Sequence, residues 1–129
     1  MATILLVDDD AKTLRPLQIL LEAEGYRVLT VLNGIAAESV TAADRPDLIV
    51  TDWMMPGVDG VALCRWLKAA SATAAIPVVM LSAAQPPPPG ERLWDVFLRK
   101  PTPIARLVDV IRDLLETHRS ITSRQPHSQ

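Results

Sequence analysis

Five short apolar runs, four of them leading into stretches with helical spacing, restrict this chain more than any other feature. The runs are residues 3–7, 26–31, 48–50, 76–81 and 96–98, and helical patterning follows at 14–24, 35–43, 58–70 and 104–116. Such an alternation of strand and helix demands a parallel sheet with right-handed crossovers and helices on both faces. The runs are continuous rather than alternating, as expected for strands buried on both sides. The fold expected is α/β, a doubly wound five-stranded parallel sheet.

Local signals place the boundaries. Leu14, Leu17 and Leu21 share one helical face, and Gly25 is positioned to stop that helix. Pro16 lacks an amide donor, so the helix either begins near Thr13 as its N-cap or starts earlier and is distorted. Asn33-Gly34 forms a turn into the second helix. Val61, Leu63, Cys64, Trp66 and Leu67 lie on the third, and Ile104, Leu107, Val108, Ile111 and Leu115 form an apolar stripe on the last. Residues 1–118 read as one domain and 119–129 as a polar, disordered tail. No output domain is expected after the last helix.

The residues able to do chemistry all fall at one end of this sheet. Asp8 and Asp9 leave the first strand, Asp52 the third, Ser82 the fourth and Lys100 the fifth. In open parallel sheets the crevice for ligands lies beyond the carboxyl ends of the strands. The stretch DLIVTDWMMPGVDG, residues 47–60, runs an apolar strand into Asp52 and stops it at Pro56 and Gly57. Asp10 is most naturally a helix N-cap, which leaves Asp8 and Asp9 without a structural reason.

Three neighbouring carboxylates destabilise one another unless a hard cation offsets their charge, and carboxylate, carbonyl and water oxygens suit Mg²⁺. Beside such an ion, the Asp52 carboxylate could attack phosphorus and form an aspartyl phosphate. A lysine across the site would neutralise phosphoryl oxygen charge, and a serine hydroxyl would donate to the same group. Taken singly, Lys100 also reads as a solvated strand end, Ser82 as a turn residue and Asp52 as a cap.

Composition excludes several classes. Among 129 residues, 13 basic and 15 acidic side chains give a net charge of −2, which offers no basic face for nucleic acid. Cys64 is the single cysteine, so it cannot form an internal disulfide and reads as a small apolar residue in a reducing compartment. The N-terminal apolar run meets three aspartates rather than a cleavage site, and no stretch is long enough to cross a membrane. A cytoplasmic protein without direct nucleic-acid or membrane contact is expected.

Together VDDD, DLIVTDWMMPGVDG, VVMLSA and FLRKP give the chain a specific resemblance, over residues 3 to about 117, to the receiver domains of two-component response regulators. The resemblance implies a flavodoxin-like sheet of order 2-1-3-4-5, the order for which a receiver protein is a known example. It also implies that Asp52 is the phosphoacceptor, supplied by a sensor histidine kinase or a histidine phosphotransfer domain. Mg²⁺ would be held by Asp9, Asp52 and the backbone carbonyl of Met54, with Asp8 acting through water. Ser82 and Lys100 would hold the phosphoryl group. Phe97 matches the family's switch aromatic, which rearranges as the Ser82 hydroxyl moves toward phosphate. Lys100-Pro101 matches a bond that is usually cis in the family. Met54 and Ala84 stand where receivers tune hydrolysis, and neither can orient a water, which implies a long-lived phosphoryl state.

The chain departs from the family between Ser82 and Phe97, where AAQPPPPGERLWDV replaces the usual fourth helix. Four consecutive prolines favour polyproline II, so that helix is expected to be shortened or absent, with residues 86–95 as a loop. Leu93 and Trp94 are then the large apolar residues available to cover the sheet, and at least one should pack inward. Two other readings remain open. A phosphatase of the haloacid-dehalogenase type would use Asp8 as nucleophile and Asp10 as acid. An unphosphorylated receiver-like interaction module would keep the fold alone.

Overall fold

The computed structural model describes residues 1–83 and 93–124. The elements run β1 (Thr3–Val7), α1 (Ala11–Ala23), β2 (Arg27–Val31), α2 (Gly34–Asp44), β3 (Leu48–Asp52), α3 (Gly60–Lys68), β4 (Val78–Ser82), β5 (Val96–Arg99) and α4 (Ile104–Arg124). All strand pairs are parallel, and the sheet order is β2-β1-β3-β4-β5. The expected doubly wound sheet and its order are therefore observed. The expected loss of a helix between β4 and β5, with the strut Pro86 to Pro89 and Ala84, concerns residues 84–92, outside those described.

Because successive side chains point to opposite faces, the apolar strands feed two separate cores. Ile4, Leu6, Leu48, Val50, Val79, Leu81 and Leu98 face α1 and α4, where they meet Leu14, Leu17, Leu21, Leu107, Val108 and Ile111. Leu5, Val7, Ile49, Val78 and Met80 face the other way, onto Ala37 of α2 and Leu63, Cys64 and Leu67 of α3. Leu93 belongs to this second core and is 9% exposed, so the inward packing expected of residues 93 and 94 is found there. Cys64 is buried, and desolvation pushes its thiol up to about 12, in line with a small apolar role.

The helix ends follow local chemistry. Asp10 caps α1 by accepting from the Lys12 amide at 3.0 Å, so α1 starts before the expected boundary and Pro16 lies inside it. Pro16 has no N–H to give the Lys12 carbonyl; both residues are exposed, so water can serve that group. At the other end Gly25, at φ 97°, donates to the Glu22 carbonyl while Tyr26 donates to that of Leu21, a Schellman closure. Asn33 caps α2 and Asp59 caps α3, through the Ala36 and Ala62 amides. The expected start of the third helix at residue 58 was two residues early, because Asp59-Gly60 is a cap and first helical residue rather than helix interior. The last helix outruns its expected end at residue 116, and the supposed tail at 119–124 is helical; no glycine or proline interrupts it there.

Two aspartates fix the strand register at the opposite end of the sheet from Asp52. Asp47, just before β3, accepts from the Thr3 amide at 2.7 Å and donates its own amide to the Thr3 carbonyl at 2.8 Å. Asp95, just before β5, does the same with Val78 at 2.8 and 2.9 Å. Each closes a ring that selects one pairing.

Gly60 marks the tightest joint: a Cβ there would lie 2.7 Å from the Asp52 carbonyl oxygen and 2.9 Å from Trp53 Cα. Backbone cannot swing aside as a side-chain end can. Gly60→Ala should therefore cost about 1–3 kcal/mol of overpacking. Gly57→Ala, where φ is 75° but nothing lies within 4 Å, should cost only about 1 kcal/mol of left-handed strain. Urea unfolding midpoints of the two variants check the order; a milder effect at Gly60 would contradict it.

Candidate functional site

Four strand exits bring the polar residues together. β1 delivers Asp8 and Asp9, β3 ends on Asp52, β4 ends on Ser82, and Lys100 follows β5 directly. The pairing carries Asp52 opposite Leu81 and Ser82 opposite Arg99, and the Lys100 amide donates to the Ser82 carbonyl at 2.9 Å. Each catalytic candidate is thus held on backbone that is hydrogen-bonded to its neighbour.

Carboxylate oxygens of Asp8, Asp9 and Asp52 all lie within 4.8 Å of one another. Asp8 is buried and has a partner at each oxygen: Oδ1 accepts from the Asp10 amide at 2.9 Å and Oδ2 from Lys100 Nζ at 3.1 Å. Lys100 Nζ also lies 3.3 Å from Asp52 Oδ1, so one ammonium bridges two of the three carboxylates. Asp9 is exposed and Asp52 half-buried. The donor set is all hard oxygen and still carries more negative than positive charge, which is chemistry that suits a small divalent cation.

The electrostatics follow from burial and proximity. Desolvation raises the Asp52 carboxyl above its ordinary value of 3.8, Lys100 opposes that rise, and Asp8 and Asp9 add to it. Burial works against the charge on Lys100, but the hydrogen bond from its ammonium to Asp8 and the charge of Asp52 outweigh it, and its pKa is raised. Burial is the largest influence on both groups; the carboxylates add to it at Asp52 and overcome it at Lys100.

Ser82 is buried at 1% exposure. Met54 sits in the loop after β3 with an exposed side chain. Phe97 is half-buried, packs on the α2/α3 side of the sheet, and lies against Trp94. The Lys100-Pro101 peptide is cis. Asp10 is occupied in capping α1, and it also accepts from the Thr13 hydroxyl at 3.4 Å, so it is not presented as an acid beside Asp8. The Asp8–Asp10 pairing of nucleophile and acid that a phosphatase would need is thus not favoured.

Two contributors to this geometry escaped the reading of the sequence. Gly60 lets α3 begin against the Asp52 carbonyl, and the Gly60 amide donates to the Trp53 carbonyl at 2.8 Å. Gly34 lets α2 approach Val58, whose carbonyl a Cβ there would meet. The turn signal at Asn33-Gly34 is local, but what each glycine is pressed against is not.

A raised carboxyl pKa means that ionising Asp52 subtracts from folding stability. That cost is absent below its ordinary pKa and fully present once pH exceeds the raised value. Asp52→Asn should therefore melt a few degrees above the native protein at about pH 7 in magnesium-free buffer, and the gap should close as pH falls toward about 4. Thermal unfolding across that range checks it; a gap that widens in acid would reverse the assignment.

Comparison with known proteins agrees with this geometry. Residues 4–112 match the response regulator receiver domain family. Response regulator PleD of Caulobacter vibrioides is 40% identical over 119 residues, covering 88% of this chain and 26% of PleD, so the chain spans about a quarter of that relative. The polar-differentiation response regulator DivK of Brucella anthropi is 28% identical, over 88% of this chain and 95% of DivK. Among solved structures, the signal receiver domain of a signal transduction histidine kinase from Syntrophus aciditrophicus superposes with a TM-score of 0.82 at 32% identity, covering 100% of this chain and 97% of that one. With its sheet order, its acidic strand ends and a family match across most of its length, the chain belongs to the response regulator receiver domain family.

Proposed function

We propose that Asp52 accepts a phosphoryl group in a two-component phosphorelay, and that Mg²⁺ is required. The observation that carries the reading is the position of the Asp52 carboxylate, at a strand exit, in a cluster with Asp8 and Asp9, and 3.3 Å from the Lys100 ammonium. The donor would be the phosphohistidine of a sensor kinase or of a histidine phosphotransfer domain, acting in the cytoplasm. Receiver domains are signalling domains rather than enzymes in the usual sense, so the chemistry proposed is the domain's own phosphorylation and dephosphorylation.

In the transfer, an Asp52 oxygen forms the bond to phosphorus as the P–N bond to the donor imidazole breaks. Lys100 then meets charge on the phosphoryl oxygens, and the Ser82 hydroxyl donates to one of them. Asp9, Asp52 and the Met54 carbonyl would hold the magnesium ion, with Asp8 assisting through water. Bound there, the ion would offset carboxylate and phosphoryl charge. Burial of Asp8 and the partner at each of its oxygens support its indirect role, whereas Asp9 is exposed. Phe97 and Ser82 would carry the conformational response, within a receiver unit of residues 1–118. A downstream protein partner would read that response.

Intact mass after incubation with acetyl phosphate tests the acceptor. A hydroxylamine-labile phosphate adduct should form with Mg²⁺, disappear with chelator and be absent from Asp52→Asn. Labelling that survives in Asp52→Asn but is lost in Asp8→Asn would overturn the assignment. For the metal, Asp9→Ala should weaken Mg²⁺ binding more than Asp8→Ala, about 10-fold or more against the native protein. Trp53 fluorescence during magnesium titration reads this, and equal losses would remove the distinction.

A further inference from the structure

We infer that Trp94 is a positioning residue that holds Phe97 in the orientation seen here, so that a rearrangement of Phe97 must first give up the Trp94 contact. The inference rests on the phosphoacceptor reading, which supplies the event that would move Phe97. The ring centroids of Trp94 and Phe97 are 6.4 Å apart with the planes tilted by 57°, within the range of attractive edge-to-face pairs. Phe97 is cross-strand partner to Met80, which is fully buried, so the sheet side of its seat is closed by core. Trp94 supplies a neighbour in the segment leading into the strand.

Trp94 is itself anchored on both sides. Leu93 is buried in the α2/α3 core, and Asp95 is tied to Val78 through both its amide and its carboxylate. Three consecutive residues are therefore fixed to β4 or its core, and the indole is presented on a rigid base. On the other side, Phe97 is three residues from Lys100 on a strand of only four residues, and the Lys100 amide is bonded to Ser82. In the arrangement described, Lys100 is committed to Asp8 and Asp52. Phe97 thus stands between the Lys100 end of its strand and an anchored aromatic neighbour, and a Phe97 that turns away gives up the Trp94 contact. A Trp94 that merely covered the sheet would change stability and leave the orientation of Phe97 alone.

The chain contains a single phenylalanine, so fluorophenylalanine labelling gives one ¹⁹F reporter, at Phe97. In the full chain, Mg²⁺ with beryllofluoride should move the resonance to a second position. In Trp94→Ala the second position should gain population without beryllofluoride by about 2- to 12-fold, the equivalent of one aromatic pair, while Trp94→Tyr, which keeps a ring without adding a second reporter, should restore the native balance. Trp94→Leu, which keeps apolar cover without a ring, should behave like Trp94→Ala and serves if the alanine variant does not fold. Native-like populations in Trp94→Ala and Trp94→Leu, with a native protein that responds to beryllofluoride, would overturn the inference and leave the acceptor reading intact. A Phe97 signal that never responds although Asp52 is labelled would also overturn it. Loss of both the response and Asp52 labelling would show instead that the acceptor reading is wrong.

Discussion

Burial of one five-stranded sheet on both faces is the constraint from which the rest of this molecule follows. Ile4, Leu5 and Leu6 are successive residues of β1, and all three are essentially inaccessible, alternating between two cores. A strand sealed on both sides has no place for an unpaired charge along its length, because desolvating one without a partner costs far more than the strand's packing returns. Ionisable groups are thereby driven to the strand ends, and parallel connectivity puts the ends of all five strands on the same side. The functional cluster is a consequence of the core as much as of the residues in it.

What that geometry creates is an electrostatic imbalance held in place by backbone. Three carboxylates meet one lysine, and the lysine divides itself between Asp8 and Asp52. Desolvation and the neighbouring carboxylates disfavour the charge on Asp52, while for Lys100 the contacts with Asp8 and Asp52 outweigh desolvation and favour its charge. A site in this state gains from anything that brings positive charge to Asp9 and Asp52, and the hardness of its oxygen donors selects the kind of ion. The phosphoryl chemistry proposed for it and an affinity for a divalent cation would then have one origin.

Precision at the site depends on small joints away from it. Gly60 and Gly34 let two helices start in near contact with the backbone of the β3–α3 connection, and Asp59 and Asn33 cap those helices. On the far side of the sheet, Asp47 and Asp95 set the register that decides which residues emerge together. A slip of one residue would turn every apolar side chain to the wrong face and move Asp52 out of reach of Lys100. These aspartates act on the site through pairing alone.

The sequence by itself determined the strands, their parallel pairing, the buried faces and the end of the sheet where Asp8, Asp9, Asp52, Ser82 and Lys100 gather. Those are matters of hydrophobic period and turn chemistry, which are local and survive without coordinates. It also offered Asp10 as the cap of α1, which the Lys12 amide bears out. Only the tertiary structure decided that Lys100 bridges Asp8 and Asp52, that Gly60 and Gly34 are pressed against specific backbone, and that Trp94 lies against Phe97. It also decided that α1 runs through Pro16 and that α4 continues to Arg124. The lysine's two carboxylate partners and the contact of Gly34 with Val58 join residues far apart in sequence, while the neighbours of Gly60 and Phe97 are close in sequence but depend on how the intervening backbone turns; residue spacing encodes neither.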